Sequence, residues 1–294
     1  MNRFSGWVGV ALWLALSGLV GAALPTTVAV SGVIPPVSAM LRQIGGESVV
    51  VSTLVPPGSS PHVYEPSPMA VRGLRKAGLI VTIGNLGLAV AEPRRLRGLS
   101  PGARIVDLTA GEVLLDDDDH AHRDVTGGDP HVWMSPLIMA RKAMVIADAL
   151  GVLNPHGAAV YHRNAAILSQ RLQDRTEAYR DKFKGRDIVV IVVHPSLAYL
   201  AKDIGFTQLA IEAHGRPPSV RQLRALITTI KKSRHCVIVL QSQYGQDLVD
   251  VVSKQTGVKV IPGDIYRSDY PESMFVILDH ILTATEPHPP LNFK

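Results

Sequence analysis

Continuous apolar runs, rather than alternating ones, punctuate this chain. Residues 27–30, 49–54, 79–83, 104–108, 187–193, 236–240 and 258–261 are short stretches rich in Val, Ile and Leu. A strand covered on one face alternates apolar and polar positions, whereas a strand buried on both faces need not. The runs therefore predict strands of parallel sheets. Between them lie segments with helical patterns, among them 36–43, 67–76, 136–150, 219–232 and 246–255. Strands alternating with helices imply βαβ units and an α/β fold.

The alternation breaks once. From 155 to 184 no strand candidate occurs, and Ala158, Tyr161, Ala165, Leu168, Leu172, Thr176, Tyr179 and Phe183 recur at three- and four-residue steps. This spacing predicts one long amphipathic helix. Asn154-Pro155 supplies a start and Gly185 a stop. A helix of this length between two βα blocks predicts a rigid connector, with an N-terminal lobe over 24–150 and a C-terminal lobe over 185–294. The 294 residues agree with two units at roughly 150 residues each.

Composition adds compartment and excludes some partners. Residues 7–20 are almost wholly apolar, Arg3 precedes them, and Gly21, Ala22 and Ala23 follow. This pattern predicts a signal peptide over 1–23, cut after Ala22 or Ala23. The apolar run is short for a membrane span of ~20 residues. No Cys lies near the cut, so a lipid anchor is not expected and the mature chain is expected to be soluble and periplasmic. Cys236 is the single cysteine. No intrachain disulfide can form, and Cys236 is expected to be buried and inert. The formal net charge of +5 is spread along the chain. The group Arg94, Arg95, Arg97 and the pair Lys231, Lys232 read as solvated faces, not as a nucleic-acid site.

Against this framework four residues share a position. His62 lies in the loop after the run 49–54. His194 directly follows 187–193, and Asp264 comes just after 258–261. His131 sits in Asp129-Pro130-His131-Val132-Trp133, just before a helix. In open α/β sheets, ligands bind beyond the carboxyl ends of the strands. Two such edges facing each other would bring the four side chains together. Three imidazoles and one carboxylate suit zinc and neighbouring transition metals, whereas magnesium and calcium favour mainly oxygen donors. A second cluster, from Asp116 to Asp124, holds His120 and His122 among several carboxylates. It reads equally as a solvated acidic loop or as an auxiliary metal-gathering loop. The glycines form neither a Walker nor a dinucleotide pattern, and no His-Glu-x-x-His or Gly-x-Ser-x-Gly motif is present.

These motifs resemble the periplasmic substrate-binding proteins of zinc and manganese ABC importers, the zinc-uptake and treponemal-type receptors (cluster A-I). The resemblance runs from about Thr27 to Leu282. It is carried by Ser60-Pro61-His62-Val63-Tyr64-Glu65-Pro66-Ser67-Pro68, by Asp129-Pro130-His131-Val132-Trp133-Met134-Ser135-Pro136, and by Val193-His194-Pro195-Ser196 followed by Tyr199. The fourth piece is Thr256-Gly257-Val258-Lys259-Val260 leading to Asp264. The resemblance implies two (β/α) lobes joined by a long helix, with metal in the interlobe cleft. It implies His62, His131 and His194 as ligands and Asp264 as the fourth, found in part of the family. His194, where manganese receptors tend to carry Glu, points to zinc. A membrane permease with its cytoplasmic ATPase is the implied partner, and a monomer the implied state. Two departures stand out. Asn85-Leu86-Gly87-Leu88-Ala89 lacks a Glu common in the family, and Gln241-Ser242-Gln243 replaces an acidic residue after the 236–240 run.

The expectation is capture and delivery without turnover. Imidazole must be neutral to ligate, so affinity should fall as pH drops below the ordinary His value of about 6.5. A manganese or iron receptor of the same fold is the nearer alternative. A secreted zinc hydrolase with Asp264 as base is the more distant one.

Overall fold

The computed structural model describes residues 27–84, 86–116, 128–212 and 216–286. The expected signal peptide, the pair His120 and His122, and residues 287–294 lie outside the described residues. The first lobe runs β1 (Val28–Gly32), α1 (Pro35–Gly45), β2 (Val49–Thr53), α2 (Pro68–Lys76), β3 (Leu79–Thr82), α3 (Pro93–Leu99), β4 (Arg104–Asp107) and α4 (Pro136–Leu153). α5 (Ala158–Phe183) follows as the connector. The second lobe runs β5 (Ile188–Val192), α6 (Ala198–Ile204), β6 (Thr207–Ala210), α7 (Val220–Lys232), β7 (His235–Leu240), α8 (Gln246–Thr256), β8 (Val260–Pro262) and α9 (Glu272–Thr285).

Each lobe holds a parallel sheet with the same strand order, β2-β1-β3-β4 and β6-β5-β7-β8. Val28 pairs with Val49 and Leu79 with Arg104 in the first; Ile188 pairs with His235 and Ile238 with Val260 in the second. The central strands β3 and β5 are almost wholly buried, as their unbroken apolar runs demand. The edge strands β2, β4, β6 and β8 are only partly covered. The order also creates a switch point in each sheet, between β1 and β3 and between β5 and β7, where a crevice opens at the carboxyl edge.

Helix boundaries follow local chemistry. Pro occupies the first turn of α1, α2, α3 and α4, where its missing N–H costs no helical bond. Ser67 and Ser135 accept from Ala70 N–H and Ile138 N–H, and Ser219 with Gln222 forms a capping box. α5 buries Tyr161, Ala165, Leu168, Leu172, Thr176, Tyr179 and Phe183, the stripe expected from the spacing. At ~1.5 Å per residue it spans roughly 39 Å.

The main apolar core does not stop at the lobe boundary. One cluster joins Val30, Leu79 and Trp133 to Tyr161, Leu172, Leu200, Tyr266 and Phe275, while a smaller one lies on the other face of the second sheet around Ile191, Ile238 and Val249. Polar ties cross the same seam. Gln43 Nε2 donates to Tyr270 O at 2.6 Å, Ser135 Oγ to Asp203 Oδ2 at 2.5 Å, and Trp133 Nε1 to Ile265 O at 3.2 Å. Cys236 is half-buried rather than fully buried, because it lies at the partly covered start of β7; burial still pushes its thiol pKa up.

Candidate metal centre

Three histidines from three separate connections meet between the lobes. His62 sits in the β2–α2 connection, in a turn closed by Val63 N–H to Ser60 O at 3.3 Å. Gly87, in the connection after β3, faces it. Its φ is +78°, and a Cβ there would stand 3.4 Å from His62 Nδ1. Gly87, part of the segment that departs from the family pattern, thus lies against His62 and leaves that ring room.

His131 directly precedes the single helical turn Val132–Met134 that leads to α4. Asp129 braces it twice, accepting from His131 N–H at 2.8 Å and approaching its Nδ1 at 2.7 Å. Asp129 itself is buried. Its backbone is held too: its carbonyl accepts from Tyr199 Oη at 2.7 Å, and its N–H donates to Leu115 O at 2.8 Å. Tyr199 belongs to the second lobe, so the brace behind this first-lobe histidine is anchored across the seam.

His194 follows β5, at the switch point of the second sheet. Its Nδ1 lies 3.1 Å from Glu212 Oε2, and its backbone N–H donates to Gln241 Oε1 at 3.2 Å. Gln241 Nε2 in turn donates to Ser196 Oγ at 2.6 Å. The Gln that departs from the acidic family pattern therefore serves as a neutral acceptor for the His194 backbone. Tyr244 stacks on the His194 ring, with centroids 5.3 Å apart and planes at 18°.

A carboxylate can only accept, so the Nδ1 facing it carries the proton and Nε2 keeps its lone pair. The Nε2 atoms of His62, His131 and His194 are all buried. The ring centroids are 5.2–5.6 Å apart, and one ligand atom from each His lies within 4.8 Å of the others. Bonds of about 2.0–2.1 Å in a tetrahedral zinc site need donors roughly 3.3 Å apart.

Asp264 stands apart from this group. The mutually close ligand atoms come from the three histidines and do not include its carboxylate. Its Oδ1 accepts from Gln243 Nε2 at 2.9 Å and from Tyr266 N–H at 2.9 Å. The residue is nonetheless placed with care. A Cβ on the preceding Gly263 would meet Val239 Cγ1 at 2.2 Å, so only glycine brings the chain off β8 this close to β7. Tyr266 is fully buried beside it; burial first, then the charges around Tyr244, Asp264 and Asp129, push its pKa up and keep it protonated. Sequence reasoning did not assign roles to Asp129, Glu212 or Tyr244. Asp129 was visible in the Asp-Pro-His motif; Glu212 follows β6, an edge strand that no long apolar run announces.

The whole chain compares with known proteins as follows. The model of the family described as "Zinc-uptake complex component A periplasmic" (ZnuA) matches residues 30–284. This chain belongs to that family. The zinc-binding lipoprotein AdcA of Streptococcus pneumoniae is 29% identical over 236 residues, covering 76% of this chain and 47% of AdcA. The chain thus spans about half the length of that relative. The manganese-binding lipoprotein MntA of Halalkalibacterium halodurans is 26% identical over 235 residues, 77% of this chain and 75% of its own. A crystal structure of ZnuA superposes with a TM-score of 0.81 at 28% identity, covering 88% of this chain and all of that one. Two parallel-sheet lobes joined by a long helix are therefore the architecture of the family as well as of this chain.

Proposed function

We propose that this protein is an extracytoplasmic solute-binding protein that captures zinc and delivers it to an ABC importer. The observation that carries this reading is the convergence of three imidazoles from both lobes, two of them buried and backed by carboxylates. Imidazole donors favour zinc over manganese, which prefers oxygen. His62, His131 and His194 are the ligands in this proposal. Asp264 supplies the fourth donor by turning its Oδ2 toward the ion while Gln243 and the Tyr266 amide keep Oδ1. With four protein donors the site is closed, which suits transport; a hydrolase would keep a position for water. No helix among the described residues is long and apolar enough to cross a membrane. The delivery partner is a membrane permease with its ATPase, met by a soluble periplasmic monomer.

Purified chain, prepared without added metal, should contain zinc, and competitive titration should favour zinc over manganese. Replacing His62, His131 or His194 by Ala should each reduce zinc affinity by more than the roughly 10–100-fold that loss of an outer hydrogen-bond partner causes. Undiminished binding in all three variants would overturn the assignment. A clear preference for manganese would transfer it to the manganese receptors of the same family.

A further inference from the structure

Helix α6 of the second lobe touches the His131 segment of the first lobe on both sides of that histidine. Tyr199 and Asp203 lie one turn apart on the same face of α6, and both are buried. The Tyr199 hydroxyl donates to Asp129 O at 2.7 Å and accepts from Leu115 N–H at 3.1 Å. Asp129 N–H also donates to Leu115 O at 2.8 Å, so one hydroxyl joins two stretches of chain just before His131. Asp203 Oδ2 accepts from Ser135 Oγ at 2.5 Å and from Leu137 N–H at 3.3 Å, at the start of α4. One tie thus falls before His131 and the other after it.

The same helix is anchored to His194. It begins at Ala198, and the short stretch between is held almost residue by residue. His194 N–H donates to Gln241 Oε1 at 3.2 Å, Gln241 Nε2 to Ser196 Oγ at 2.6 Å, and Leu197 N–H to Gln208 Oε1 at 2.6 Å. At the far end of α6, Arg180 of α5 donates to Asp203 O. A chain of hydrogen bonds therefore runs from His194 through α6 to the backbone on either side of His131. The two ring centroids are 5.3 Å apart.

We infer that Tyr199 and Asp203 are positioning residues for the ion site, and that through α6 they fix the spacing of His131 from His194. The inference rests on the reading of the three histidines as the cargo site. It gives neither residue a place among the ligands. The carboxylate of Asp129 orients the His131 ring, whereas α6 sets where that ring stands relative to the other lobe. A tetrahedral ion needs its donors at a set separation. A gap held by buried hydrogen bonds is prepared before the ion arrives, so less ordering accompanies binding. Loosening either tie should cost affinity and change the coordination geometry.

The test compares four full-length chains: wild type, Tyr199→Phe, Ser135→Ala and Tyr179→Phe. Competitive zinc titration gives the affinity, and the visible spectrum of the cobalt-substituted protein reports the coordination geometry. Tyr199→Phe keeps the ring in the core and removes the hydroxyl. Ser135→Ala cuts the tie to Asp203 on the other side of His131. Tyr179→Phe is the control, because its hydroxyl joins α5 to Asp279 and to Phe275 O in α9, and not to the His131 segment. Tyr199→Phe should weaken zinc binding about tenfold, the lower end of the range for an outer hydrogen-bond partner, and shift the cobalt bands. Ser135→Ala should act in the same direction by about threefold, the worth of one modest hydrogen bond. Tyr179→Phe should lower the Tm but leave affinity and spectrum as in the wild type. Wild-type affinity and spectrum in both Tyr199→Phe and Ser135→Ala overturn the inference. An equal loss in Tyr179→Phe also overturns it, because the effect would then be one of general stability. If Tyr199→Phe does not fold, Ser135→Ala decides alone. Absence of zinc binding by the wild type overturns the functional reading itself, and the inference with it.

Discussion

His131 and His194 are held differently from His62. The first two sit on short backbone next to a helical turn and a central strand, each with a carboxylate at Nδ1. His62 rides on a long connection, in a turn closed by Val63 N–H to Ser60 O and close to Gly87. On the proposed reading the difference separates two tasks: the braced pair would set donor orientation and basicity, hence which ion is preferred, and the loop-borne histidine how the ion enters and leaves.

The largest effects expected from this contrast fall on the braces. Asp129→Asn and Glu212→Gln should each weaken zinc binding by about 10–100-fold, because the amide no longer holds the ring with its proton at Nδ1. Asp129→Asn should be the more severe, since Asp129 also bonds the His131 backbone. Isothermal titration measures both, and equal, small losses would erase the distinction between braced and loop-borne ligands.

Gly87→Ala comes next. It places a Cβ on a residue with φ of +78°, 3.4 Å from His62 Nδ1. The left-handed conformation alone costs about 1–2 kcal/mol for an L-residue. A lowered Tm with a few-fold change in zinc exchange rate, and an unchanged preference for zinc over manganese, is the expected result. A changed metal preference would mean that His62 shares the task of the other two.

The smallest effect serves as a control away from the site. Burial alone would raise the pKa of Glu112, but hydrogen bonds and charges from Arg141 and Lys142 outweigh it and leave the carboxyl lowered. Its oxygens lie 2.5 Å from Arg141 Nη2 and 3.0 Å from Lys142 Nζ. Because the folded value is the lower one, the pair stabilises the protein above the unfolded Glu value of about 4.3. That contribution is lost as pH falls through the folded value. Wild type should therefore melt above Glu112→Gln at neutral pH, and the two should converge in acid. A gap that persists in acid would remove the charge from the explanation.

Much of the architecture was legible because burial leaves a simple trace. Strands β1, β3, β5 and β7 announce themselves as unbroken apolar runs, and α5 by its stripe from Tyr161 to Phe183. β6 was missed because Thr207–Ala210 is a half-covered edge strand whose Thr and Gln break any run. The three histidines were legible from strand ends and proline-bearing turns. The carboxylates behind them were not, since pairing His194 with Glu212 needs two neighbouring strands in register. Asp264 illustrates the converse. Its position after β8 was readable, but its bond to Gln243 depends on a turn after a different strand.

The core that runs unbroken through both lobes also bears on how such a protein can change over generations. Trp133, Tyr161, Leu200 and Phe275 carry the stability, and the metal-facing side chains stand on connections beyond the strand ends. Substitutions on those connections alter donor chemistry without opening cavities in the interior. On the proposed reading, a change of cargo would need substitutions at the rim alone and would leave the scaffold beneath it intact.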